Sequence, residues 1–223
     1  LGFNNKGIDN ALENIKKFNR NIPIGINIGK NASTPISNAF QDYEYCLRKA
    51  YSIADYITLN ISSPNTDQLR DLQTGEKINE FLYSIKTLHD NLYKVYKKFT
   101  PLVVKISPDM NKTEVEQLCG LLMKFEIDGI ICTNTTIDKS SLDDNFKNLQ
   151  GGLSGKPLRQ KATDTLKVVN NCLSDDITIL AAGGINSHQA AQEKFNNGAQ
   201  LLQLYTGLVY EGPSLLKEIL KNK

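Results

Sequence analysis

The stretch Tyr56-Ile-Thr-Leu-Asn-Ile-Ser-Ser-Pro-Asn-Thr66 passes from a short apolar run into a turn rich in amides and hydroxyls. A run of this length, ended by Pro-Asn, predicts a strand over 56–61. The run is nearly continuous in apolar residues, which is typical of a parallel strand covered on both faces. The polar residues that follow therefore mark the carboxyl end of a buried strand.

Five further segments show the same change from apolar to polar residues. Strands are predicted over 24–28, 56–61, 102–106, 129–133, 177–181 and 200–205. The spacing of apolar residues predicts helices over 8–18, 38–52, 77–98, 114–125, 157–170, 188–197 and 213–220. Thr113 with Glu116 predicts a capping box at the fourth helix, and Ser187 predicts the N-cap of the sixth. The polar interval 135–151 is predicted to be a surface excursion without secondary structure.

This alternation of short strands and longer amphipathic segments predicts β-α units on a parallel sheet. A doubly wound sheet would carry a glycine-rich nucleotide fingerprint after its first strand, and this sequence has none. Nearly every strand instead ends in small, amide or charged residues, which in an α/β barrel meet on the face that carries active sites. We therefore predict one domain over 1–223, a (β/α)8 TIM barrel whose first strands lie outside this chain.

The composition excludes several classes of function. The 223 residues are 40% hydrophobic, with a formal charge of +2 and both signs interspersed, so nothing indicates a nucleic-acid-binding face. No apolar run approaches the about 20 residues that span a bilayer. The four cysteines lie far apart, which favours reduced thiols over disulfides. The two histidines, His89 and His188, are predicted at the surface, and they are too few for a metal site or a Ser-His triad.

Two glycine clusters follow predicted strands late in the chain. Gly151-Gly-Leu-Ser-Gly155 and Ala182-Gly-Gly184 let the backbone approach a ligand and aim N–H groups at an anion. Tyr205 and Thr206 end the last predicted strand, where barrels of this kind commonly bind phosphate. Each cluster alone could equally be a simple turn. Together, at successive strand ends, they favour a phosphate site.

Lys105 stands inside the apolar run Leu102-Val-Val-Lys-Ile-Ser107. Burial of an unpaired ammonium costs several kcal/mol, so Lys105 requires an anionic partner. A flavin ring gains negative charge at its N1–C2=O edge on reduction, and a fixed lysine there would stabilise the reduced state. A salt bridge to a neighbouring carboxylate is the structural alternative.

Ser63 and four asparagines complete the set of polar residues at strand ends. Asn27, Asn60, Asn65 and Asn134 offer amides that both donate and accept, as a planar substrate with imide and carboxylate groups requires. Ser63 could be an ordinary turn residue before proline. If it is a base, it requires a relay for its proton, because its loop holds no acid or imidazole; Thr66 and a water are candidate members.

The whole chain resembles the dihydroorotate dehydrogenase family. The motifs that carry the resemblance are LGFNN at 1–5, GINIGKN at 25–31, NISSPNT at 60–66, VKISPD at 104–109, TNTT at 133–136, GGLSGKPL at 151–158, AAGGI at 181–185 and QLYTGL at 203–208.

The resemblance implies an α/β barrel that binds FMN and oxidises dihydroorotate to orotate in de novo pyrimidine biosynthesis. It implies that Ser63 is the base, with Thr66 and Phe3 lining the path of the proton. It places FMN at Asn27, Asn60, Lys105, Thr133, Gly155, Gly184, Tyr205 and Thr206. It places the substrate at Gly2, Phe3, Asn60, Asn65, Asn134 and Thr135, and it implies no metal.

Serine at 63 resembles the membrane-associated, quinone-reducing class, since the soluble enzymes of the family carry cysteine there. A quinone is then the electron acceptor, and the protein would lie on the cytoplasmic side of a bacterial inner membrane or on the mitochondrial inner membrane. It would attach through an N-terminal region outside this sequence. Asp67-Gln68 departs from the usual Pro-Gly after NISSPNT. Two alternatives stay open, an isomerase or lyase of sugar phosphates on the same fold and an inactive barrel remnant.

Overall fold

Six strands form one parallel sheet in the order in which they occur along the chain. The computed structural model describes residues 4–17, 21–66 and 68–221. The sheet curls into part of a barrel, which confirms the α/β barrel fold predicted from the sequence. Its strands are β1 (Gly25–Ile28), β2 (Tyr56–Asn60), β3 (Leu102–Ile106), β4 (Gly129–Cys132), β5 (Thr178–Ala182) and β6 (Leu201–Gln203).

Helices connect the strands and cover one face of the sheet. They are α1 (Ile8–Lys16), α2 (Ala39–Ala50), α3 (Gly75–Tyr96), α4 (Lys112–Lys124), α5 (Asp144–Lys147), α6 (Arg159–Cys172), α7 (His188–Asn196), α8 (Thr206–Glu211) and α9 (Ser214–Leu220). None of the helices in the described ranges is long and apolar enough to cross a membrane.

Two predictions of element boundaries were wrong. The last strand was predicted to reach residue 205, but β6 ends at Gln203, and α8 starts at Thr206. The interval 135–151 was predicted to lack structure, but it contains α5, and Thr136 forms an isolated antiparallel bridge with Leu153. Both errors arise where short elements give too few residues for a periodic pattern.

The two faces of the sheet carry different side chains. Leu102, Val104 and Ile106 belong to the large core between sheet and helices. Alternate residues point to the opposite face, where Val103 packs in a separate, smaller cluster with Ile131, Leu180 and Ala182. Lys105, two residues after Val103, lies on this second face. The concave side of the sheet is therefore apolar where this smaller cluster lies and polar at the carboxyl ends of the strands.

The capping box of α4 involves different residues from those predicted. Asn111 is the N-cap; its side chain accepts from the Glu114 N–H at 3.0 Å, and the Glu114 carboxylate accepts from the Asn111 N–H at 2.8 Å. The predicted pair, Thr113 and Glu116, lies two residues further along the chain than the observed pair. Ser187 does cap α7, as predicted, by accepting from the Ala190 N–H.

We expect Asn111→Ala to lower the free energy of unfolding by about 1 kcal/mol, because the Glu114 N–H at the start of α4 loses its side-chain acceptor. Thr113→Ala is the matched control and should change it by only a few tenths, since Thr113 is exposed and caps nothing. Urea denaturation of both variants measures the difference. Equal destabilisation by the two substitutions would contradict the assignment of Asn111.

The surface prediction for His89 was wrong. Only 2% of His89 is exposed, and its Nε2–H donates to the Thr100 carbonyl at 2.9 Å. Aromatic neighbours surround the ring, which packs edge-on against Tyr51 and Phe99. Ile85 and Leu92, each about one turn away on α3, place His89 on the buried face of that helix. The four cysteines are free thiols, and burial raises the pKa of Cys119 to about 12.

Candidate active site

The loop after β2 is held by the side chain of Asn60. Its Oδ1 accepts from the Ser62 N–H at 3.3 Å, from the Ser62 hydroxyl at 3.1 Å and from Asn134 Nδ2 at 3.1 Å. The Tyr43 phenol, fully buried under the sheet, donates to the Asn60 carbonyl at 2.7 Å. Asn60 is thereby fixed in one orientation, and the loop starts from a rigid point.

Ser63 lies in the interior of this loop. Only 1% of the residue is exposed, and its Oγ accepts from the Asn65 N–H at 3.2 Å. A backbone N–H aimed at a serine oxygen stabilises that oxygen as it gains negative charge, and exclusion of water strengthens the effect. Thr66, the next hydroxyl of the loop, is also buried. The loop thus carries a hydroxyl that is sheltered from water and accepts a backbone N–H.

Neither a carboxylate nor an imidazole of the described residues is free to act as a base beside this loop. Asp109 is the carboxylate closest in the hydrogen-bond network, since Arg70 connects it to the Ser62 carbonyl. Burial by itself raises the pKa of Asp109, but hydrogen bonds from Lys161, Thr136, Ile137 and Arg70 outweigh this effect and lower it to about 2. A carboxylate held in this way is a poor proton acceptor. His89 contacts Thr100, which precedes β3, and so lies at the opposite end of the strands.

The loop after β4 brings two predicted substrate residues to the same place. Asn134 donates through Nδ2 to both Asn60 Oδ1 and Ser62 Oγ, each at 3.1 Å. Its own Oδ1 accepts from the Thr135 N–H at 2.9 Å. The Thr133 N–H donates to the Ala182 carbonyl, which extends the ladder between β4 and β5. The structure therefore brings Asn60, Asn134 and Thr135 together at two neighbouring strand ends.

Lys105 reaches the same face from β3. It is paired in register with Asn60 on one side and with Ile131 on the other. Its ammonium donates to Gln203 Oε1 at 3.4 Å, and no carboxylate within the described ranges pairs with it. Burial alone lowers the pKa of Lys105, with no anion to oppose the shift. The alternative of a structural salt bridge therefore finds no carboxylate among the described residues, where the neutral Gln203 amide is the acceptor for this cation.

The glycine clusters lie next to one another beyond β4 and β5. The Ser154 and Thr206 hydroxyls are 2.9 Å apart, and a Cβ on Gly155 would touch the Thr206 side chain. Gly184 has a φ of +75°, and a Cβ there would lie 2.3 Å from the Arg159 Cβ. The backbone at Gly184 consequently approaches the start of α6 more closely than any side chain allows. Gly155 thus lies against Thr206, and Gly184 lies against Arg159, four residues after Gly155. We call Gly155, Gly184 and Thr206 the glycine group.

Other predicted site residues lie at the margin or outside the described ranges. Asn27 is exposed on β1, in register with Thr58. Tyr205 is 67% exposed, and Asn65 is exposed with its Oδ1 near Gly151. Gly2 and Phe3, predicted to contact the substrate, and Asp67, which departs from the motif, lie outside the residues that the structure describes.

Three residues of this region were not predicted from the sequence to belong to the site. Arg70 and Asp109 form an ion pair of 2.7 Å between the loops after β2 and β3. Gln203 supplies the acceptor for Lys105. Gln203 could have been found, because it is a polar residue in an otherwise apolar strand, as Lys105 is. No local signal marks Arg70, since its partners lie 8, 39 and 65 residues away.

Comparison with known proteins identifies one family. The profile of the family described as Dihydroorotate dehydrogenase matches residues 1–222. A protein of Vibrio parahaemolyticus serotype O3:K6 named dihydroorotate dehydrogenase (quinone) is 46% identical over 223 residues, which are 100% of this chain and 66% of that protein. A protein of the same name from Haemophilus influenzae strain PittEE is 48% identical over 223 residues, 99% of this chain and 66% of its own length.

Solved structures agree with the sequence comparison. The crystal structure of DHODH in complex with ferulenol from Eimeria tenella has a TM-score of 0.88 and 30% identity, and it covers 98% of this chain and 64% of that one. The ligand-free DHODH from Eimeria tenella has a TM-score of 0.87. The present sequence thus spans about two thirds of the length of these relatives. Because the family profile covers all but its last residue, the chain belongs to the dihydroorotate dehydrogenase family.

Proposed function

We propose that the protein oxidises dihydroorotate to orotate with FMN as cofactor and a quinone as electron acceptor, in de novo pyrimidine biosynthesis. The observation that carries the proposal is the presence on one face of the sheet of a buried hydroxyl, Ser63, and a largely buried cation, Lys105, that has no carboxylate partner in the described residues. Neither feature serves the fold, and both suit the oxidation of a carbon acid on a flavin. Membership of the family removes the sugar-phosphate isomerase alternative.

The concave face fits FMN by its shape and charge. Lys105 would place its ammonium at the edge of the isoalloxazine ring that becomes anionic, and Asn60 and Thr133 lie beside it at the ends of β2 and β4. The group of Gly155, Gly184 and Thr206 would hold the phosphate. Asn27 and Tyr205, both exposed, would contact FMN from the two edge strands. Bound FMN would accept the hydrogen of C6 of dihydroorotate as hydride and later give both electrons to a quinone.

The amide cluster fits the substrate. Asn60, Asn65, Asn134 and Thr135 offer donors and acceptors that match the imide and carboxylate groups of dihydroorotate. Gly2 and Phe3 stay proposed contacts on the basis of sequence alone. Asn134 hydrogen-bonds both Asn60 and Ser62. These bonds tie the amides that would bind the substrate to the loop that carries the proposed base. This coupling would orient C5 of the substrate towards Ser63.

Ser63 would then remove the proton from C5. As the proton reaches Oγ, the serine passes its own proton along the relay, for which Thr66 is the buried candidate and Phe3 the proposed lining residue. The N–H of Asn65 stabilises the negative charge that develops on the oxygen. Loss of H⁺ from C5 and of hydride from C6 leaves the C5=C6 double bond of orotate. The residues of the chain therefore account for the proton, and the flavin for the electron pair.

The quinone and the location are proposed from Ser63 and from the bacterial relatives. Both relatives carry the name dihydroorotate dehydrogenase (quinone). A quinone acceptor dissolved in lipid requires that the protein reach a membrane surface. We therefore propose a peripheral position on the cytoplasmic side of a bacterial inner membrane.

Turnover by the intact protein tests this function. The proposal predicts that dihydroorotate and a soluble quinone analogue are consumed in equal amounts, with orotate as product, and that a denatured sample releases FMN. Fumarate and NAD⁺ serve as alternative acceptors and should support far slower turnover. Release of FAD, or turnover with NAD⁺ but none with the quinone, would contradict the proposal.

Gly184→Ala should reduce both stability and the FMN content. The added methyl meets the Arg159 Cβ, so the start of α6 has to shift at a cost of about 1–3 kcal/mol beyond the cost of the backbone angle. Gly212→Ala is the matched control, because Gly212 has a similar φ of +70° but open space around it. The free energy of unfolding and the flavin-to-protein absorbance ratio measure the two effects. Equal FMN content in the two variants would argue against a phosphate site at Gly184.

A further inference from the structure

Arg70 contacts three loops of the candidate active site at once. Its Nε donates to the Ser62 carbonyl at 3.1 Å, Nη1 to Asp109 Oδ2 at 2.7 Å, and Nη2 to the Thr135 carbonyl at 2.9 Å. These acceptors follow β2, β3 and β4, three neighbouring strands of the sheet. The guanidinium is planar and its donors point in fixed directions, so the three acceptors are held at fixed relative positions.

Asp109 extends this network towards α6. Its carboxylate pairs with Lys161 at 2.6 Å and accepts from the Thr136 hydroxyl and from the Ile137 N–H. The side chains of Arg70 and Asp109 are only 20% and 14% exposed, so solvent screens their interaction less than it screens a surface pair. Asp109 stays ionised throughout the neutral range, because its pKa is lowered to about 2. Asp109 therefore keeps the negative charge that its ion pairs with Arg70 and Lys161 require at neutral pH.

Two of the three contacts of Arg70 fall on peptide groups beside functional side chains. The Ser62 carbonyl belongs to the peptide that leads into Ser63, and the Thr135 carbonyl follows the peptide that joins Asn134 to Thr135. One contact thus fixes the loop of the base, and the other fixes the loop of the substrate amides. A purely structural ion pair would need only Asp109.

We propose that Arg70 is a positioning residue for proton abstraction, which sets the distance between the Ser63 hydroxyl and C5 of the substrate. The proposal rests on the proposed function of the site. Arg70 itself touches neither substrate nor flavin; it acts through the backbone of the two loops. Displacement of a reacting group by about 1 Å can slow a reaction by about 100-fold, so a small error in the spacing of these loops has a large effect.

Arg70→Lys separates the positioning role from the ion pair. A lysine can still pair with Asp109, but its point charge cannot serve both carbonyls at the same time. Arg48→Lys is the matched control, because Arg48 forms an exposed pair with Glu44 on α2 and contacts no loop of the site. Both variants are made in the intact protein with FMN bound, and flavin reduction by dihydroorotate is followed anaerobically by stopped-flow absorbance.

The decisive readout is the kinetic isotope effect with substrate deuterated at C5 or at C6. We expect Arg70→Lys to retain FMN and to lower the rate constant of reduction by about 10- to 100-fold. The isotope effect at C5 should rise while that at C6 falls, because removal of the proton becomes the slower event. Arg48→Lys should match the wild type in rate and in both isotope effects.

Several results would overturn the proposal for Arg70. Reduction of Arg70→Lys at the wild-type rate would do so, as would a slower rate with unchanged isotope effects, which indicates a general structural loss. Failure of both Arg70→Lys and Arg70→Gln to fold or to hold FMN would assign the residue to the fold instead. A wild-type protein whose flavin dihydroorotate does not reduce would refute the proposed function itself, a result distinct from these.

Discussion

Ser63→Ala is expected to slow reduction of the bound flavin by about 10²- to 10⁴-fold while FMN stays in place, because the buried acceptor of the C5 proton is lost. Among the described residues the hydroxyl makes one hydrogen bond, which it accepts from the Asn65 N–H, so its removal disturbs the loop little. No carboxylate or imidazole of the described residues is placed to take over, since Asp109 is committed to two cations. Residual reduction in the variant should increase with pH as hydroxide replaces the base.

Ser63→Cys provides the conservative comparison for this prediction. A thiol is more acidic than a serine hydroxyl and can accept the same proton as thiolate, so reduction should recover partly relative to the alanine variant. Anaerobic stopped-flow absorbance of the flavin measures all three proteins. Wild-type rates in Ser63→Ala with full FMN content would show that another group is the base.

Lys105→Met is expected to lower the two-electron reduction potential of the bound flavin by about 50–100 mV. A charge about 4 Å from the developing anion is worth about 4 kcal/mol at an effective dielectric constant of 20, and 30 mV corresponds to about 1.4 kcal/mol for two electrons. The cation is largely buried and has only the Gln203 amide as partner, so no neighbouring charge compensates for its loss. Flavin reduction by dihydroorotate should slow accordingly.

Two comparisons sharpen the test of Lys105. Lys105→Arg keeps the charge and should hold the potential close to that of the wild type. Gln203→Leu removes the neutral partner only and should change the potential much less than Lys105→Met. Spectroelectrochemical titration against reference dyes gives the three potentials. An unchanged potential in Lys105→Met would place the cation away from the flavin ring.

The sheet and most of the site could be predicted because their signals are local. Most strands are nearly continuous apolar runs, and nearly every strand is followed by small or polar residues that do not suit a core position. Parallel order then brings Asn60, Lys105 and Thr133 to one edge without any knowledge of distances. The structure adds the hydrogen bond between Asn60 and Asn134 and the burial of Ser63.

The remaining features depend on tertiary contacts, which a single sequence does not show. Arg70 looks like any surface arginine until the loops after β3 and β4 fold against it. His89 was predicted at the surface, whereas it lies on the buried face of α3 with Ile85 and Leu92, and Tyr51 and Phe99 pack against its ring. The capping box shifted by two residues because Asn111 and Thr113 both fit the pattern, and only the backbone geometry selects Asn111.

The contacts of Arg70 also bear on the inactive-remnant alternative. A chain that kept only the fold would have no need for a buried ammonium without a carboxylate partner or for a buried serine that accepts a backbone N–H. Both features persist in the described residues, together with the network that fixes the loop. They support a site that performs chemistry.

The most direct measurement is the visible spectrum of the purified intact protein before and after anaerobic addition of dihydroorotate. We predict the absorbance of a bound flavin, bleached rapidly by the substrate and restored when a quinone is added. A colourless protein would contradict flavin binding at Lys105 and the glycine group. A flavin that dihydroorotate fails to bleach would contradict the role of Ser63 and identify the protein as an inactive relative.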